Sequence, residues 1–168
     1  MGLDITAYSK IGDFIEAEIT DATDALIDAR KARLLWVNPD FPGRADPITK
    51  TGVYAIPDDA QKFHFCAGSY SGYNQWRNEL ARIAGYEDAG EKRYDRGCWA
   101  KGIGPFHELI DFSDCEGVIG ADVAKRLAVD FCDFAGSAMQ QNNDFTRTYL
   151  DFMHVFRMAE HGGVVIFH

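Results

Sequence analysis

The stretch His107-Glu108-Leu109-Ile110-Asp111-Phe112-Ser113-Asp114-Cys115-Glu116 puts one histidine, four carboxylates, a serine and a cysteine into ten residues. Residues 106–112 read as a strand, whose period-two alternation would turn His107, Leu109 and Asp111 to one face. His107 and Asp111 would then suit a base and its orienter, or two ligands of a divalent ion. With Asp114 and Glu116 they make the candidate set of a small hydrolase, possible with or without a metal. Ser113 and Cys115 lack the local signature of a serine or cysteine hydrolase. The plainer reading makes Asp114 and Glu116 turn residues before a helix, where acids are favoured, and His107 a surface group.

A second constellation is Ala67-Gly68-Ser69-Tyr70-Ser71-Gly72-Tyr73-Asn74-Gln75-Trp76-Arg77, which reads as a strand, a turn and a helix start. With Ser71 as the helix cap, the free amides behind it would favour an anion. Tyr70, Tyr73 and Trp76 offer stacking faces, Arg77 a guanidinium fork, and Ser69 and Ser71 hydrogen bonds. Arg93 and Arg96, in the polar glycine-rich segment 86–105, would add charge. The glycine spacing is neither a Walker nor a dinucleotide-binding pattern. An ordinary capped helix with Tyr73 and Trp76 in the core accounts for the same residues.

The charge distribution points to the same region. The 168 residues carry a net −9, yet residues 60–104 hold seven lysines and arginines against five acids, so the remainder holds −11. Eight aromatic residues lie between Phe63 and Trp99. The overall acidity argues against binding a nucleic-acid duplex through its phosphates. A third feature is the run Asp13, Glu16, Glu18, Asp21, Asp24 and Asp28, an acidic face able to act as a protein inhibitor or simply to be solvated.

No cofactor or metal is expected. His64-x-Cys66 has no second ligand pair, and His154, His161 and His168 form none. Cys66, Cys98, Cys115 and Cys132 are widely spaced, which with no secretory signal suggests reduced thiols and a cytoplasmic protein. No apolar run is long enough to span a membrane.

The elements that must position these residues are legible in part. Leu3, Ile5 and Ala7 alternate with polar residues as in a half-buried strand. Further strands are expected at 14–19, 34–37, 53–56, 63–66, 106–112 and 164–167. Helices are expected from Ser71 to Gly85, over 123–138, and over 145–160, with 20–32 open between helix and loop. The order predicts a single α+β domain, with about three helices on one face of an antiparallel or mixed sheet.

Four segments, MGLDITAYSK, AGSYSGYNQWR, HELIDFSDCEGVIG and GGVVIFH, together resemble small proteins encoded by bacteriophages and prophages. The resemblance carries no catalytic motif. It implies an accessory protein in a bacterial cytoplasm, of a kind that binds a host protein or a signalling nucleotide. The expectation is therefore a non-enzymatic binding protein for an anionic, planar, nucleotide-like ligand or a host protein.

Overall fold

A computed structural model describes residues 2–86 and 104–168. The chain forms an α+β fold built on two antiparallel sheets. In the larger sheet, β1 (Gly2–Tyr8) lies between β5 (Lys62–Ser69) and β7 (Val164–Phe167), and β6 (Gly117–Gly120) completes the order β5-β1-β7-β6. The smaller sheet has the order β2-β4-β3, from Phe14–Glu16, Gly52–Ala55 and Ala32–Leu35.

Alternation in the strands divides the interior in two. Leu3, Ile5, Ala7, Ile119, Val165 and Phe167 face the helices, while Tyr8, Val118, Val164 and Ile166 face the smaller sheet with Leu35 and Tyr54. On the helical side pack α2 (Tyr70–Ile83), α4 (Ala121–Asp133) and α6 (Asn143–Ala159). Each buries one stripe at helical spacing, such as Phe145, Tyr149, Phe152, Phe156 and Ala159 on α6. Asn142 caps α6 by accepting the Phe145 N–H at 2.9 Å. A short α1 (Asp21–Asp28) connects β2 to β3, and α5 (Ala135–Ala138) follows α4. Gly120 lets the loop before β4 cross the start of α4, since a Cβ there would lie 2.0 Å from the Ala45 carbonyl oxygen.

Three sequence expectations need correction. Residues 106–112 are not a strand. Phe106 has φ 61°, and α3 (His107–Ile110) follows it. The burial of Phe106, Leu109 and Ile110 has the i, i+3, i+4 spacing of a helix, so His107 and Asp111 are not alternate residues of a strand. The cap of α2 is Ser69, not Ser71, because β5 runs on to that residue and its Oγ accepts the Gly72 N–H at 3.1 Å. The expected strand at 14–19 ends at Glu16 and gives way to α1. Among the described residues no helix is long and apolar enough to cross a membrane.

Candidate functional site

A groove of about 600 Å3 opens where the β5–α2 junction meets the start of α6. Its position follows from local sequence. Gly68, at φ 97° in the left-handed region that favours glycine, sits where the pairing of β5 with β1 shifts register, and Ser69, still paired with Gly2, caps α2. Asn142 caps α6 across the gap. A Cβ on Gly68 would meet no atom within 4 Å, so the backbone is open to a ligand there. Gln75 and Asn78 enter from α2, Asn142 and Thr148 from α6, and the rim of Trp76 forms part of the floor.

The groove's charges are largely spoken for. Arg82 pairs with Glu79, and Arg147 with Asp144 at 3.4 Å. Asp151 also lines the groove. Burial pushes its carboxyl pKa up, while Arg147 and His154 pull it down. With three acids, Glu79, Asp144 and Asp151, against two arginines, the lining favours a neutral polar ligand over an anion.

The residues expected from sequence around this junction divide between groove and core. Tyr73, Trp76 and Arg77 are 0%, 6% and 4% exposed. Trp76 stacks on Phe145 and Phe152 at 5.7 and 4.8 Å and donates its indole N–H to the Phe145 carbonyl at 3.3 Å. Arg77 reaches the carbonyls of Ile110 and Phe112, the Asn74 side chain and, at 3.8 Å, Asp114, with its guanidinium over the Tyr73 ring. It joins α2 to the α3–β6 connection and is buried there, outside the groove lining. Ser69 is exposed, with its Oγ 3.2 Å from that of Ser71, and Tyr70 packs half-buried against the core. Arg93 and Arg96 lie outside the described residues.

The hydrolase candidates are held separately. His107 Nδ1 lies 3.0 Å from the Gly104 carbonyl, Asp111 is 3.6 Å from Arg44, and Asp114 accepts from Asn74. Glu116 borders a different cleft, between the two sheets. Glu108, passed over in the sequence, is 5% exposed and accepts from Arg126 Nε at 2.8 Å. Among the described residues no three histidine, cysteine or acidic side chains are placed to share a metal ion, and Cys66, Cys115 and Cys132 are free thiols.

Asp130 accepts the Phe106 N–H at 2.7 Å and thereby ties α4 to the residue that leads into α3. Its pKa is raised, chiefly by burial and against the pull of that hydrogen bond. The folded pKa lies above the unfolded one, so Asp130 contributes stability below the unfolded carboxyl range and loses it as pH rises through its folded pKa. An Asp130→Asn variant keeps an acceptor without the charge. It should be at least as stable as the parent at pH 7, and the parent should gain on it as pH falls towards 4 in urea titrations. A parent that stays ahead at every pH would contradict this assignment.

Comparison with family models, with curated proteins and with solved structures found no match. The functional reading therefore rests on this chain's own geometry: an α+β protein with an amide-lined groove at two helix starts.

Proposed function

We propose that the protein is a non-enzymatic binding protein whose α2–α6 groove takes a planar, hydrogen-bonding ligand of the nucleobase or nucleoside type. The observation that carries this reading is the set Gln75, Asn78, Asn142 and Thr148 facing one groove beside Trp76. Side-chain amides carry donors and acceptors that match the edge of a heterocyclic base, Asn142 through its Nδ2 donors because its Oδ1 caps α6, and the edge of Trp76 borders the same space. Glu79, Asp144 and Asp151 outnumber Arg82 and Arg147 in this lining, which disfavours a phosphate. The ligand expected from sequence is thus narrowed from anionic and planar to planar and polar. A phage accessory protein that senses or sequesters a small host molecule fits the resemblance of the four segments.

Thermal-shift titration with the four ribonucleosides and their 5′-monophosphates tests this. A nucleoside present at one hundred times its dissociation constant should stabilise the fold by about 2.7 kcal/mol. Its monophosphate should do no better, and Asn78→Ala with Thr148→Ala should remove the shift while leaving the unliganded melting temperature nearly unchanged. If no nucleoside moves the transition at millimolar concentration, the reading fails.

A second reading, a protein inhibitor acting through residues 13–28, is favoured by one observation. Phe14, Ile15 and Ile19 within that acidic stretch are 40%, 37% and 51% exposed, and Leu34, which lines the same cleft as Ile19, is 39% exposed. Apolar contact inside an acidic rim suits a partner with a basic rim. Reversing Glu16, Glu18 and Asp21 to lysine should abolish capture of such a partner and leave nucleoside binding intact. Unchanged capture would remove the idea. The hydrolase alternative has less support, because His107, Asp111 and Asp114 are each held by different partners and Glu116 borders a separate cleft.

A further inference from the structure

We propose that the cleft between the two sheets is a second ligand site, taking a small zwitterion with a bulky apolar side chain, of the free α-amino-acid type. This cleft, of about 370 Å3, is distinct from the α2–α6 groove and sits at the small end of ligand-pocket sizes. Its walls are mostly apolar, with Ile19, Ile27, Leu34 and Trp36 on the side of the smaller sheet and Ile166 on the larger. Charges of both signs line it: Arg33 and, in the same lining, Asp24 and Glu116. None of the three makes an ion pair with any described residue. Opposite charges that line one small cavity and do not pair with each other suit a ligand that carries both.

Hydrogen bonding defines how the cationic end is held. The Arg33 guanidinium lies 3.5 Å from His168 Nδ1, and His168 Nε2 lies 2.8 Å from Thr6 Oγ1. Arginine can only donate, so Nδ1 accepts, and in the neutral ring Nε2 carries the proton and donates to Thr6. Thr6, 3% exposed, then turns its own hydrogen to His64 Nδ1 at 3.1 Å. Burial and the Arg33 charge both push the His168 pKa down, which keeps the ring neutral and leaves the guanidinium's charge unpaired for a carboxylate. A bound carboxylate takes Arg33's fork, an ammonium takes Asp24 and Glu116, and the side chain lies against Trp36.

Trp36 supplies a signal for the test. Tryptophan fluorescence and calorimetry on the full chain would compare L-leucine and L-methionine with N-acetyl-leucine, which lacks the ammonium, and leucinamide, which lacks the carboxylate. The free amino acid should saturate, and each blocked form should bind at least tenfold more weakly. Arg33→Gln should weaken leucine about tenfold while leaving leucinamide unchanged. Asp24→Asn with Glu116→Gln should weaken leucine and spare N-acetyl-leucine. These side chains are exposed or half-buried, and equal melting temperatures would establish that the variants fold. Failure of any amino acid to saturate at tens of millimolar overturns the proposal, and so does equal binding of the blocked forms. Nucleoside shifts that depend on Asn78 and Thr148 report the other groove separately.

Discussion

Arg77→Met should cost about 3–5 kcal/mol of folding stability, read as a lower urea midpoint at unchanged slope. The aliphatic replacement refills most of the volume, so the loss reports the polar network. The Ile110 and Phe112 carbonyls lose their donor, and Asp114 loses its partner at 3.8 Å. Each buried carbonyl left without a partner costs about 1–3 kcal/mol. Arg77→Lys should recover only part of the loss, because one ammonium cannot span two carbonyls, Asn74 and the Tyr73 face together. A loss below about 1 kcal/mol for methionine would show that water replaces the guanidinium, contrary to its burial.

Phe152→Ala should be of similar size, about 3–5 kcal/mol, because large-to-small changes in a packed core add a cavity to the lost transfer energy. The Phe152 ring sits 5.1 Å from Phe65, 4.8 Å from Trp76, 5.8 Å from Tyr73 and 6.0 Å from Phe156, at the junction of β5, α2 and α6. Thermal denaturation should show a fall of roughly 6–20 °C for a chain of this length. Phe152→Leu should keep most of the stability, and an alanine variant within about 1 kcal/mol of the parent would mean that the aromatic cluster collapses freely around the gap. Tyr73 touches both Arg77 and Phe152, so the double variant should lose less than the two single losses combined.

The part of the fold that was legible in the sequence is the part with a clear period. The alternation Leu3, Ile5, Ala7 and the stripes through Leu127 and Phe152 follow from one-sided burial, and they placed β1, α4 and α6. The run from Phe106 to Phe112 misled because its apolar residues serve two periods at once. A single left-handed residue at Phe106 decides for the helix, and no local residue preference announces it. The segment Gly117–Gly120 went unread as a strand because four residues between an acidic turn and a helix carry little pattern. Tyr73, Trp76 and Arg77 had the residue types of a binding surface, but at spacings that equally serve a core. Packing against α6 turns Tyr73 and Trp76 inward, and the α3–β6 connection does so for Arg77. The groove's polar residues were invisible for another reason: Gln75 and Asn78 meet Asn142 and Thr148 across more than sixty positions of chain.

The order β5-β1-β7-β6 has a consequence for how the chain reaches this state. Its two central strands, Gly2–Tyr8 and Val164–Phe167, are the pair most distant in sequence, with Ile5 beside Phe167 and Tyr8 beside Val164. While the chain is being made on the ribosome, β1 can pair with β5 but its other edge stays bare until β7 emerges. Closing so long a loop makes this a slow-folding topology. For that interval Leu3, Ile5 and Ala7 lie beside an unsatisfied strand edge, a form that invites pairing with other chains. Yield of the folded protein during rapid synthesis should therefore depend on chaperones more than its finished packing suggests.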